Sequence, residues 1–117
     1  MPRFERWTIV AVPFPYVERP IRQRRPALVV LSRLGAAHDL LWVLMITAAA
    51  NRGWPEDVAI DDHAAAGLPI PSIVRTAKIA TIVAIDARPL GVLPAQITAR
   101  IAKILRQRFD GRAVAGS

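Results

Sequence analysis

Cysteine is missing from this 117-residue chain, and histidine occurs only twice. Without cysteine the chain forms neither disulfides nor thiolate metal sites, and two histidines cannot build a three-histidine zinc site. Long apolar runs are missing as well, because the longest, 40–50, has 11 residues and includes Thr47, whereas a bilayer needs roughly 18–20. Pro13 and Pro15 interrupt the N-terminal apolar segment, which makes a poor signal peptide. We expect a cytoplasmic protein without a thiolate or three-histidine metal site.

Lysine and acidic residues are scarce relative to arginine. Of the 16 basic residues only Lys78 and Lys103 are lysine, against 9 acidic residues, so the net charge is +7. Such an excess in a small protein favours a polyanionic partner, most commonly nucleic acid. The alternative is that the arginine bias reflects genome composition and the charge only maintains solubility. Hydrophobic residues make up 53% of the chain, which indicates one globular domain over 1–110, followed by a tail at 111–117 that we expect to be disordered.

Short β-branched and apolar segments predict strands at 8–12, 27–31, 40–46 and 58–60, and one or two more within 72–85. A polar, basic loop at 16–25 separates the first two. The segment 27–31 is apolar at every position, which indicates burial on both faces of a sheet.

The segment 94–109 has a different period. Its apolar residues Ile97, Ile101, Ile104 and Leu105 follow the spacing of an amphipathic helix, and Pro94 suits the first helical position. Short strands followed by one helix predict an α+β fold, a small antiparallel sheet curled into a barrel with the helix on its side.

Four segments occur in an order that resembles one family. They are IVAVPFP at 9–15, RPALVV at 25–30, ITA at 46–48 and GLPIPSIVRTAKIATI at 67–82. Together they resemble the MazF/PemK/Kid toxins of bacterial toxin–antitoxin pairs. Gly-Val-Leu at 91–93, before the terminal helix, also fits this pattern.

The resemblance implies an SH3-like antiparallel β-barrel of the CcdB/PemK kind with a C-terminal α-helix, assembled as a homodimer. It implies a toxin that cleaves single-stranded RNA, including mRNA, at short sequences without metal and so inhibits translation and growth. Attack by the 2′-hydroxyl would leave a 2′,3′-cyclic phosphate and a 5′-hydroxyl. It further implies an acidic antitoxin of the MazE/PemI kind, whose disordered C-terminal segment blocks the RNA site.

Three residues are the catalytic candidates. Arg25 matches the Arg-Pro arginine of the family, and its planar guanidinium can bind two phosphate oxygens at once. Thr47 ends a predicted strand, where its hydroxyl can donate to a phosphate oxygen. Arg75 matches an arginine that Kid-type members are thought to use in proton transfer, although charge stabilisation suits a group with a pKa above about 12 better.

The sequence departs from the family pattern near these candidates. Ala48 and Ala49 replace a serine and a polar residue, and Ala77 replaces the acid that follows the arginine in Kid-type members. No matched general base remains, since Asp61, Asp62, Glu18 and the histidines are substitutes by chemistry only. We therefore expect cleavage by positioning and electrostatics.

Further residues are candidates for RNA binding: Phe14, Arg19, Arg22, Arg24, Ser72 and Lys78. A solvated basic loop is the alternative explanation for the arginines. Tyr16 and Trp54 could stack on bases, with core or interface packing as the alternative, and Trp7 and Trp42 are expected in the core.

Two other functions fit the same fold. One is a toxin that binds DNA gyrase, as CcdB does, but that relative ends in Trp-Gly-Ile and this chain ends in Ala-Val-Ala-Gly-Ser. The other is a catalytically weak RNA-binding regulator, which the alanines at 48 and 77 make plausible.

Overall fold

The computed structural model describes residues 4–13, 24–34 and 39–110. Its strands are β1 (Thr8–Pro13), β2 (Arg24–Leu34), β3 (Leu40–Ala48), β4 (Asp57–Ile60), β5 (Ser72–Val83) and β6 (Arg88–Val92), and its α-helix is α1 (Ala95–Phe109). Short 3-10 helices cover Ala49–Asn51 and Ala84–Asp86. No helix within these ranges is both long and apolar enough to cross a membrane.

The six strands form one sheet in the order β4-β5-β3-β2-β1-β6. All neighbouring pairs are antiparallel. The predicted α+β fold, with a small antiparallel sheet and a C-terminal helix, is confirmed. The described strands form no β4–β6 ladder, so hydrogen-bonded pairing does not complete the barrel.

A backbone contact joins the two ends of the sheet instead. Gly67, in the connection after β4, has a φ of +80°, and a Cβ built on it would lie 2.1 Å from the carbonyl oxygen of Leu90 in β6. A Cβ on Gly91 would lie 2.3 Å from the carbonyl oxygen of Ala66. Only glycine permits this approach of two backbones, so the connection after β4, and not β4 itself, contacts the edge strand β6.

The sheet is buried on both faces, as the apolar strands predicted. Ala27, Leu28 and Val29 are 0% exposed, and alternate residues face different cores. The helix-side core contains Leu28, Leu44 and the buried residues of α1. A second core, which contains Ala27, Val29 and Val43, lies on the face away from α1.

The terminal helix follows its predicted period. Ile97, Ile101 and Leu105 are buried against the sheet, and Ile104 is partly buried beside them. Pro94 precedes the first helical residue as the N-cap instead of occupying it. Trp7 and Trp42 pack against the helix-side core but are only half-buried.

Several strand boundaries differ from expectation. β2 begins at Arg24 because residues 24–28 pair with β1, so two arginines assigned to the loop belong to a strand. Its run of buried residues ends at Val30, since Leu31 is 42% exposed. β3 continues through Thr47 to Ala48, and the edge strand β6 was not predicted.

Candidate functional site

The three catalytic candidates lie at one end of the sheet and on one face of it. Ala27 pairs with Met45, and Met45 pairs with Arg75. Cross-strand partners, and residues two apart on one strand, project to the same face. Extending the β2–β3 register by two residues brings Arg25 beside Thr47, so both lie on the face of Arg75, away from α1.

A β-bulge in β5 borders this site. Leu44 pairs with Ile79 but the next residue, Met45, pairs with Arg75, so 76–78 are extra residues in the register. Ala77 and Lys78 are exposed on the bulge. Bulges often occur beside active sites, where they redirect side chains.

Arg75 is held in place by an acidic partner on the neighbouring strand. Its Nε donates to Asp57 Oδ1 at 3.3 Å, and its Nη2 donates to Asp57 Oδ2 at 3.1 Å and to the Asn51 carbonyl oxygen at 2.7 Å. The two side chains are 12% and 8% exposed. β4 pairs with β5 so that Asp57 stands opposite Arg75, which makes the pair a product of strand register.

The Asp57 carboxylate also receives two backbone N–H groups. Gly53 N and Trp54 N donate to its Oδ2 at 3.2 and 3.1 Å. Burial alone raises the pKa of this carboxyl, but the hydrogen bonds from Arg75 and the backbone, together with the Arg75 charge, lower the pKa below its ordinary value. Asp57 is therefore ionised at neutral pH and a weak proton acceptor.

Asn51 connects Thr47 with Arg75. Its side-chain Nδ2 donates to Thr47 Oγ1 at 3.0 Å, while its backbone carbonyl oxygen accepts from Arg75 Nη2. Because the threonine oxygen accepts this bond, its own O–H is left to act as a donor. Thr47 is half-buried, so that donor can face a ligand in the groove.

The ring of Trp54 lies against the positively charged groups of Arg75 and Lys78. The Arg75 guanidinium carbon lies 4.5 Å from the centroid of its ring, and Lys78 Nζ lies 5.7 Å from it. Both distances fall within the roughly 6 Å range of cation–π attraction. The indole is 45% exposed, so it is a surface feature of the site.

The C-terminal end of the helix supports the turn that holds Trp54 and Asp57. Glu56 in that turn has a φ of +64°, an unusual conformation for a residue with a side chain. Arg108 of α1 donates to Glu56 Oε1 at 2.5 Å and to the carbonyl oxygen of Thr76 at 2.6 Å. Thr76 Oγ1 donates to the carbonyl oxygen of Glu56 at 3.0 Å. Hydrogen bonds thus connect the helix, the turn and the bulge.

The other predicted site residues are placed differently. Ser72 is 4% exposed and its hydroxyl donates to the Ile70 carbonyl oxygen at 2.9 Å. By strand alternation it faces the helix-side core rather than the face of Arg75. Arg24 is exposed, and its Nη1 donates to the carbonyl oxygens of Asp86 and Ala11. Phe14, Glu18, Arg19 and Arg22 lie outside the described residues.

Arg25 is exposed at the start of β2, opposite Val12 of β1. Asp61 and Asp62 are exposed in the connection after β4, and His63 beside them is half-buried. In the described ranges, no group of three or more histidine or acidic side chains is placed to hold a metal ion.

Comparison with known proteins identifies the family. A sequence model described as the PemK-like, MazF-like toxin of type II toxin-antitoxin systems matches residues 5–109. The chain belongs to the PemK/MazF toxin family. Its fold is similar to that of the MazE-MazF (Form-II) crystal structure from Deinococcus radiodurans, with a TM-score of 0.63 and 19% identity over 94% of this chain and 93% of that chain. The comparison with curated proteins gave no match.

Two residues that support the candidate site, Asp57 and Asn51, are not predicted by the sequence. Asp57 lies 18 positions before Arg75, whereas the resemblance points to an acid at position 77, two residues after the arginine. Asn51 looked like an ordinary turn residue. The one available signal was that Asp57 opens a short strand shortly before the strand of Arg75, which makes cross-strand pairing possible.

Proposed function

We propose that this chain is a sequence-selective endoribonuclease that acts as the toxin of a type II toxin–antitoxin system. It cleaves single-stranded RNA, mRNA included, without needing a metal ion, and thereby stops translation and growth. The supporting observation is the link through Asn51, which joins Thr47 and Arg75 on the face where strand register also brings Arg25.

In the reaction, the 2′-oxygen attacks the adjacent phosphorus while the bond from phosphorus to the 5′-oxygen breaks. The 2′-hydroxyl loses a proton and the leaving oxygen gains one, so the products are a 2′,3′-cyclic phosphate and a 5′-hydroxyl. Negative charge accumulates on the non-bridging oxygens in the transition state. Donors that are fixed before the reaction stabilise that charge best.

We assign Arg25 and Thr47 as donors to these oxygens. The Arg25 guanidinium can bind two phosphate oxygens together, and the Thr47 hydroxyl, oriented by Asn51, can donate to one of them. Arg75 adds positive charge, but Asp57 and the Asn51 carbonyl already engage its Nε and Nη2. We assign Arg75 to positioning and electrostatics rather than to proton transfer.

Asp57 does not serve as the general base. Its carboxylate accepts from Arg75 and from two backbone N–H groups, and its lowered pKa makes it a weak base. Catalysis in this scheme comes from orienting the 2′-oxygen and stabilising the phosphorane-like charge.

The test is cleavage of a long RNA in EDTA by the purified protein, followed by mapping of the new 5′ ends. We expect a few discrete cut positions, 5′-hydroxyl ends and cyclic phosphates. Arg25→Ala should lower the rate by about 10²–10³-fold, the usual cost of one transition-state donor. Arg100→Ala is the matched control because it removes an exposed arginine from the helix, away from the site.

Intact RNA in EDTA would refute the nuclease, and full activity of Arg25→Ala would refute the role of that residue. RNA binding without cleavage would favour the alternative, a catalytically weak RNA-binding regulator. The described residues give no observation that favours a gyrase-binding toxin.

The proposal includes two protein partners. The positive charge of the chain suits an acidic antitoxin segment that orders on binding, and the similar crystal structure is one of MazE-MazF. A homodimer follows from the family resemblance, and sedimentation of the purified protein as a monomer would remove it from the proposal.

A further inference from the structure

Contacts of both its backbone and its ring orient the exposed Trp54 side chain. Its backbone N–H donates to Asp57 Oδ2 at 3.1 Å, and the Arg75 guanidinium beneath the ring is held by the same carboxylate and by the Asn51 carbonyl. A large aromatic side chain that is both exposed and pre-oriented loses little entropy when a flat partner stacks on it.

Lys78 is a weaker neighbour of the same ring. Its Nζ lies 5.7 Å from the centroid, near the outer limit of cation–π attraction, and the side chain is exposed on the bulge. A long, solvated lysine can leave the ring at small cost and bind a phosphate instead. The pair therefore combines an aromatic surface with a mobile positive charge, the pattern used to bind single-stranded nucleic acids.

The position of the indole relates it to the proposed catalytic donors. Arg75 touches Trp54 on one side and Asn51 on the other, and Asn51 bonds to Thr47. A base stacked on the indole would thus belong to a nucleotide close to the phosphate bound by Thr47. Positive charge alone would not place a nucleotide beside Trp54, because the other exposed arginines also attract phosphates.

We propose that Trp54 is a stacking platform for one unpaired nucleobase of the RNA, and that Lys78 contacts a phosphate next to it. This inference rests on the proposed function for the identity of the ligand. It assigns contact with one unpaired base, whichever base that is, to the connection between β3 and β4.

The experiment uses a random-sequence pool of single-stranded 2′-O-methyl RNA, which cannot be cleaved because its 2′-oxygen is blocked. Binding is followed by tryptophan fluorescence of the whole protein. We expect quenching in the wild type, which Trp54→Phe removes and the matched Trp42→Phe retains. An abasic pool with the same backbone should bind more weakly and leave the Trp54 signal unchanged.

Affinity and its salt dependence separate stacking from charge. Trp54→Ala should weaken binding by about 5- to 150-fold, the range for loss of one base–aromatic stack, without changing the salt slope. Lys78→Ala should lower the salt slope by about 0.7, as expected for one phosphate contact on a single strand. If Trp54→Ala is unstable, Trp54→Leu replaces it, with thermal unfolding as the check.

Equal affinity of a folded Trp54→Ala or Trp54→Leu variant and the wild type would overturn the platform, as would unchanged fluorescence on binding. A purely structural role of the indole would lower the melting temperature and leave affinity intact. Quenching by the blocked pool together with no cleavage of ordinary RNA would overturn the nuclease but support the platform. The two failures are therefore distinguishable.

Discussion

Replacing Asp57 with alanine removes the acceptor around which the site is organised. The carboxylate accepts from Arg75 twice, at 3.3 and 3.1 Å, and from the N–H groups of Gly53 and Trp54 at 3.2 and 3.1 Å. Removing one partner of a buried ion pair costs about 3–5 kcal/mol, because the other charge is left uncompensated. Arg75 keeps the Asn51 carbonyl and the indole of Trp54, so we expect a loss of about 2–4 kcal/mol.

The effect should depend on pH in one direction. The folded-state pKa of Asp57 lies below its ordinary value, so the protein gains stability from this group above the unfolded pKa of about 3.9. That gain disappears as the pH falls through the folded pKa. The stability difference between the wild type and Asp57→Ala should therefore be full at pH 7 and shrink progressively below about pH 4.

Urea unfolding followed by circular dichroism measures both quantities. Asp61→Ala is the matched control because Asp61 is an exposed carboxylate, and its loss should change stability by no more than about 0.5 kcal/mol. A double-mutant cycle with Arg75→Ala should give a coupling of about 1–3 kcal/mol. A difference below about 0.5 kcal/mol at pH 7, or one that does not change with acid, would refute the reasoning.

Three further variants test the fold around the site. Gly67→Ala places a Cβ 2.1 Å from the Leu90 carbonyl oxygen at a φ of +80°, so a loss above about 2 kcal/mol is expected in urea unfolding; wild-type stability would contradict the edge contact. Ile101→Ala leaves a cavity at a position that is 0% exposed and should lower the free energy of unfolding by about 2–5 kcal/mol. A loss below about 1 kcal/mol would mean that α1 packs loosely. Arg108→Ala removes a partly exposed ion pair and a hydrogen bond to a carbonyl oxygen, so we expect a loss of only about 1 kcal/mol of stability. Amide hydrogen exchange in the turn at 54–57 should become faster. Unchanged exchange there would show that the helix does not support the turn.

Elements with a strong hydrophobic pattern could be predicted from the sequence. The spacing of Ile97, Ile101 and Leu105 defines the buried face of the helix, because a helix repeats every 3.6 residues and one face must meet the core. The continuous apolar strands predicted a sheet that is buried on both faces. These features depend on local composition, which the sequence displays directly.

Features that depend on register could not be predicted in the same way. The connection from β4 to β5 is long, so no tight turn fixes which residue of one strand faces Arg75 of the other. The bulge in β5 could not be predicted either, since no residue in the segment 72–83 marks where the register shifts. β6 was not predicted because it is an edge strand that contains Pro89 and Gly91 and is largely exposed.

The position of Asp57 frees another part of the chain from a constraint. Since the partner of Arg75 comes from a neighbouring strand, the exposed residue at position 77 need not be acidic for the arginine to be paired. Another neutral residue can thus replace Ala77 without removing the ionic partner of Arg75. Because strand register and not sequence proximity supplies the carboxylate, a search for acidic residues next to Arg75 in the sequence alone would leave its ionic partner unidentified.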